Sequence, residues 1–256
     1  MASDPVSLRG VVIKSREFKE RDRIITFLSA EMGTVEICVK GSGKNGSRFA
    51  ACTVPFVVLD VVITATGTFW YLKDYSVVFS NSGIMSSLEA MMVGAQIGDL
   101  LSSAYIDRSG SRDFYELTVY TFYALSETPG SYLKIFSGFV WRFMSILGLN
   151  ILYESCCKCG CDLHGSLDLS LKDGLIYCSS CFSRANLPPQ DFAPLSHAGV
   201  MALNHFASAD FKLLFSVNVD DVTLHQLYRF VTSYLEVQLD IRCDALMTLL
   251  KDLNEY

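Results

Sequence analysis

Cys156-Cys157-Lys158-Cys159-Gly160, answered by Cys178-Ser179-Ser180-Cys181, decides how the rest of the chain is read. Two Cys-x-x-Cys pairs separated by 18 residues match a four-thiolate metal site, and tetrahedral zinc suits four sulfurs. Each pair sets two sulfurs on one tight turn, and a hairpin that joins the turns completes the tetrahedron. Gly160 follows Cys159 directly, where such a knuckle needs a residue tolerant of positive φ. Between the pairs, Ser166 to Leu171 alternates as a strand does, Asp173-Gly174 is a turn, and Leu175-Ile176-Tyr177 is the partner strand. The expected ligands are Cys156, Cys159, Cys178 and Cys181, in a hairpin spanning 153–184. Cys157, Cys161 and His164 lie close enough to compete for a place. Four thiolates close the shell and leave no position for a reactive water, so the zinc is read as structural.

Other uses of these thiols fit less well. A redox Cys-x-x-Cys belongs beside a βαβ pattern, and none is visible. A disulfide cluster needs an oxidising compartment, whereas Met1-Ala-Ser-Asp-Pro5 carries no apolar signal segment, so a cytoplasmic location is expected. Half of the residues are hydrophobic (50%), which is ample for packed cores. The most apolar charge-free stretches, Phe49–Leu59 and Val61–Leu72, are about a dozen residues each. That is short of the roughly 18 a spanning helix requires, and no membrane partner is expected. Cys38, Cys52 and Cys243 sit in apolar contexts and read as buried thiols.

The net charge of −6 argues against a nucleic-acid binder until its distribution is considered. Residues 1–50 hold nine Lys or Arg against six Asp or Glu, and the other 206 hold twelve against twenty-one. A basic N-terminal module on an acidic body can still grip a phosphate backbone, because salt confines each patch to about 8–10 Å.

The first 80 residues read as strands at Ser7–Ser15, Ile24–Leu28, Thr34–Val39, Pro55–Thr64 and Thr68–Leu72. Five short strands with glycine turns suit an OB-type antiparallel barrel. Between the third and fourth lies Lys40-Gly-Ser-Gly-Lys-Asn-Gly-Ser-Arg48, a Gly/Ser loop with three cations. It is no P-loop, since Asn45 stands where Ser or Thr belongs. From about residue 84 the period turns helical. Met85, Leu88, Met92 and Ala95 mark one face, Asp113 and Glu116 begin a second helix, and Leu133, Phe136, Val140, Phe143 and Leu147 stripe a third. Pro188-Pro189 marks a turn, Ser196 and Thr223 cap two further helices, and a last short helix runs from Cys243 to Leu253. The fold class is therefore α+β: an OB barrel over 1–80, then a helical domain over 81–256 with the zinc finger inserted between helices of one bundle.

In this order, the chain resembles the RecO family of bacterial recombination mediators. The residues that carry the resemblance are Gly10-Val-Val-Ile-Lys-Ser15, Glu20-Arg-Asp22 before Ile24-Ile25, Glu31-Met-Gly33, Lys40-Gly41 with Ser47, Pro55-Phe56, the four-cysteine pattern and Tyr234-Leu235-Glu236. The resemblance implies binding of single- and double-stranded DNA and annealing of complementary strands coated by single-strand-binding protein. It also implies help in loading recombinase together with RecR. The acidic body departs from what a DNA-wrapping protein needs, which puts DNA contact outside the N-terminal module in doubt.

Strand annealing involves no covalent chemistry, so no catalytic residues are expected and the chain is not read as an enzyme. It needs a surface that neutralises phosphates and leaves base edges free. Lys14, Arg16, Lys19, Arg21 and Arg23 cluster in the first barrel turn, and Lys40, Lys44 and Arg48 line the glycine loop. These are the candidate nucleic-acid contacts, though Arg21 or Arg23 can instead pair with Glu20 or Asp22. Of the aromatics Phe18, Phe49, Trp70 and Tyr71, Phe49 is favoured as a base-stacking residue by its basic loop, and only one of Trp70-Tyr71 can face inward. The stripe with Phe136, Arg142 and Phe143 is a candidate dock for single-strand-binding protein. The alternative is a zinc-stabilised adaptor that binds protein partners and no nucleic acid. A hydrolase or transferase lacks any nucleophile–base pairing.

Overall fold

Alternating apolar residues close the N-terminal strands into a barrel. The computed structural model describes residues 4–104, 106–108, 111–150, 152–185 and 188–243, which divide by packing into units Met1–Gly130 and Ser131–Tyr256. In the first unit β1 (Val6–Phe18), β2 (Asp22–Ser29), β3 (Gly33–Val39), β4 (Val58–Thr66) and β5 (Phe69–Phe79) form a closed barrel in the order β1-β2-β3-β5-β4. The period of two turns Val12, Ile25, Phe27, Ile37, Leu59 and Ile63 into its interior. β1 serves two neighbours. Val6 to Val11 pair with β4, the stretch out to Phe18 pairs with β2, and the register shifts between Val12 and Lys14. This is the expected OB-like barrel with altered bounds. β4 begins at Val58, after Phe56 at φ +72°, and the ladder with β4 carries β5 seven residues past Leu72 to Phe79.

Two helices, α1 (Leu88–Ser103) and α2 (Ser111–Glu127), belong to this same unit. The expected apolar face of α1 is the wrong one. Met85 lies in the preceding 3-10 turn, and Leu88 and Ala95 are exposed, while Ala90, Val93, Ile97 and Leu101 are buried. Small residues set the true face: a Cβ on Gly98 would stand 2.6 Å from the Ile13 carbonyl oxygen, so the helix lies almost on the barrel backbone. The change from strand to helix near residue 80 is thus a change of secondary structure, and packing divides the chain after Gly130.

The second unit comprises α3 (Tyr132–Ile146), β6 (Ser166–Ser170), β7 (Ile176–Cys178), α4 (Ser179–Ala185), β8 (Phe192–Ser196), α5 (His197–Ser208) and α6 (Asp221–Leu239). The expected hairpin is β6–β7, and β8 adds an unexpected third strand in the order β7-β6-β8. Pro194 lies within β8, where an edge strand tolerates a proline. The zinc hairpin lies between α3 and α5 of this unit. The core is aromatic. Trp141 on α3 is fully buried, 5.6 Å from the rings of both Phe230 and Tyr234 on α6. Ser196 caps α5 as expected, accepting from the Gly199 N–H at 3.1 Å. α6 is capped by Asp220 in place of Thr223, whose own N–H donates to the Asp220 carboxylate at 2.7 Å. The helix expected from Cys243 to Leu253 falls, beyond Cys243 itself, outside the described residues.

Candidate nucleic-acid interface and metal centre

The glycine-rich loop is pinned at its start. The Gly41 N–H donates to the Asp22 carboxylate at 2.8 Å, and the Gly43 N–H donates to the Arg21 carbonyl at 3.1 Å. Loop 40–48 therefore rests on the β1–β2 turn, and Lys19, Arg21, Lys40 and Lys44 share one rim of the barrel. Two of these cations cover aromatic rings: Lys19 Nζ is 5.2 Å from the Phe18 centroid and Lys40 Nζ 4.6 Å from that of Tyr71. Arg48 lies 4.6 Å over Phe49, and its carbonyl accepts from the Tyr75 hydroxyl at 2.6 Å. None of Lys19, Arg21, Lys40, Lys44 and Arg48 forms an ion pair among the described residues.

The strand cations differ. Lys14 pairs with Asp99 at 2.6 Å and Arg16 with Glu36 at 3.2 Å, both pairs bordering a groove of about 420 Å³ on the outer barrel wall beside α1. Arg23 donates to Ser15 Oγ at 2.9 Å and lies 3.8 Å from Glu17, so its partner is neither Glu20 nor Asp22. A phosphate meeting Lys14 or Arg16 must replace a carboxylate, whereas the rim is already free to receive one. The structure places Phe49 against the barrel core, beside Tyr75 at 6.0 Å. Of the adjacent pair, Trp70 packs inward and Tyr71 faces out beneath Lys40. The exposed ring on this face is Phe69, which follows the Gly67 turn and was not among the sequence candidates. Phe136 and Phe143 are fully buried and Arg142 donates to the carbonyls of Ala207 and Ala209, so that stripe is core and offers no dock.

The metal centre is built by two knuckles. In the first, Gly160 takes φ +69° and its N–H donates to the Cys156 carbonyl at 2.8 Å, turning the chain back. The Cys157 N–H donates to the Ile176 carbonyl at 2.9 Å and ties this knuckle to β7. In the second, Cys178 ends β7 and Cys181 lies in α4. The sulfurs of Cys156, Cys159, Cys178 and Cys181 all lie within 4.8 Å of one another, with Cys159 and Cys178 at 3.9 Å. Four sulfurs about 2.3 Å from one ion stand roughly 3.8 Å apart, so the spacing fits a tetrahedral metal. Burial pushes the Cys156 thiol up, but the N–H groups of Cys178, Cys159 and Lys158 outweigh it and bring the group down to about 6. Hydrogen bonds with Cys159 and Cys178 push Cys181 up to about 12, as expected where neighbouring thiolates repel and a cation would relieve them. Cys157 is exposed, and His164 lies 6.0 Å from the His197 ring. Cys161 is exposed and is not one of the four gathered sulfurs. Among the described residues, no helix is long and apolar enough to cross a membrane.

With this geometry in place, comparison with known proteins gives a consistent result. The family profile described as Recombination protein O N terminal matches residues 1–81, and that described as Recombination protein O C terminal matches residues 85–245. A curated DNA repair protein RecO from Acetivibrio thermocellus is 27% identical over 232 residues, covering 90% of each chain. The DNA repair protein RecO of Clostridium acetobutylicum is 20% identical over 227 residues, covering 89% of this chain and 90% of its own. That of Bacillus pumilus is 23% identical over 231 residues.

Proposed function

The chain belongs to the recombination protein O family of DNA repair proteins, and on that premise we propose that it is a non-enzymatic recombination mediator. It binds single- and double-stranded DNA through the barrel unit and anneals complementary strands coated by single-strand-binding protein. With RecR it assists recombinase loading, in the bacterial cytoplasm.

One observation carries the DNA reading: the hydrogen bonds from Gly41 and Gly43 that gather Lys19, Arg21, Lys40 and Lys44 on one rim, with no ion-pair partner among the described residues. Cations grouped on a Gly/Ser loop and the neighbouring β1–β2 turn suit a polyanion of irregular path, and OB barrels use the loops at such a rim to hold single strands. Lys14, Arg16 and Arg23 extend the surface along the strands once their carboxylates yield. About five phosphate contacts give a salt slope of about −3.5 for single strands.

Zinc is the metal proposed for Cys156, Cys159, Cys178 and Cys181, since four thiolates at tetrahedral spacing favour it. When bound it neutralises the thiolates and fixes the two knuckles. The cysteines themselves hold β7 and the start of α4 to the 156–161 turn, and no open coordination position serves chemistry. Titrating the protein with oligothymidylate over a range of salt tests the interface. Binding that weakens steeply with salt supports it, and no binding at low salt would shift the reading to a protein adaptor.

A further inference from the structure

Phe69 is 44% exposed at the start of β5, on a face that also carries Phe18 and Tyr71 with Lys19 and Lys40 above them. The barrel interior does not use it; Trp70 packs inward, and Phe69 and Tyr71 alternate to the outside. Across this face Phe18, the last residue of β1, places its ring centroid 6.5 Å from that of Phe69. Lys19 covers the Phe18 ring and Lys40 covers Tyr71, so rings and ammonium groups stand side by side over the strand ends. Ile24 and Cys38 alternate with the inward Ile25 and Ile37, are buried, and share the Tyr71 side of the sheet through the Ile24–Cys38 and Cys38–Tyr71 pairs.

We infer that Phe69, supported by Phe18, is a stacking platform for unpaired nucleobases, which makes this face select single-stranded over paired DNA. The inference rests on the DNA-binding reading and adds a specificity to it. Cations alone hold any phosphate backbone, paired or not. An aromatic face adds binding only where a base offers its own face, and in a duplex both faces are covered by neighbouring pairs. The neighbouring Lys19 and Lys40 are placed to take the phosphates of the same strand. They also argue against an apolar protein segment as the occupant, because docking one would strand two ammonium groups at its border.

The test compares Phe69→Ala and Phe69→Trp with the parent protein, by anisotropy on labelled oligothymidylate and on a duplex of equal length, over a range of salt. Phe69→Ala is expected to weaken oligothymidylate binding by about 5- to 150-fold, the equivalent of roughly 1–3 kcal/mol per stacked base, with the salt slope unchanged. Duplex affinity should stay the same. Phe69→Trp should restore single-strand binding and show fluorescence quenching by oligothymidylate beyond that of the parent. Unaltered single-strand binding by Phe69→Ala, or an equal loss on the duplex, would overturn the stacking inference. If the parent protein binds neither nucleic acid, the DNA-binding reading falls with it. If Lys40→Ala/Lys44→Ala weakens binding while Phe69→Ala does not, the stacking inference alone falls.

Discussion

The two units solve the same problem, holding strands together, in opposite ways. The barrel strands are 7 to 13 residues long and close on themselves, so each edge is paired and the interior fills with apolar side chains. The second unit's strands have 5, 3 and 5 residues and leave the sheet open. Three residues of β7 cannot hold a sheet edge by ladder alone, and the thiol cluster stands where that edge would otherwise fray. A continuous ladder frees the first unit's surface to carry loops and charge. The short ladder of the second sits beside two turns whose four thiols are placed to hold a metal. The contrast predicts that stability and nucleic-acid binding can be damaged separately.

The largest expected effect is on the second unit. Replacing Cys178 and Cys181 by Ser, or stripping the metal with a chelator, should release the ion and lower Tm by roughly 10 °C or more. DNA binding at low temperature should persist through the barrel. A stable variant that has lost only DNA binding would break the comparison. In the barrel, Phe27→Ala empties a fully buried site and should destabilise the first unit by about 3–5 kcal/mol in denaturant titration, leaving metal content unchanged. Replacing Lys40, Lys44 and Arg48 by Ala should leave both units folded, weaken single-strand binding, and flatten the salt slope by about 2. An unchanged slope would remove the loop from the interface. The smallest effect is expected from Asp99→Asn with Glu36→Gln, which frees Lys14 and Arg16 from their partners. These exposed pairs contribute only about 0.2–1 kcal/mol each, so DNA affinity should rise a few-fold at low salt.

Both units were legible in the chain to different depths. The four cysteines could be read because spacing alone sets two sulfurs per turn, and the structure gathers the same four. Five barrel strands could be read from their period of two. Their assembly could not: nothing in residues 84–127 says that α1 and α2 pack with the barrel, since close approach depends on Gly98 meeting the Ile13 carbonyl from a distant strand. The apolar face of α1 differs from the expected one for the same reason, because glycines Gly94 and Gly98 lie on the buried side with Val93, Ile97 and Leu101. The basic rim was visible as composition, but its separation into paired strand cations and free loop cations depends on Asp99 and Glu36, remote in sequence. Phe69 gave no signal beyond its place after a glycine turn. Asp22, expected to pair with Arg21 or Arg23, instead anchors the loop by accepting from the Gly41 N–H.

The most direct test of the central claim is the annealing rate of complementary DNA strands pre-coated with single-strand-binding protein, measured with the parent protein and the Lys40/Lys44/Arg48→Ala variant side by side. A large acceleration by the parent, much reduced in the variant, is the predicted result. No acceleration by the parent, with naked strands also unbound at low salt, would contradict it and leave a metal-stabilised adaptor as the better description.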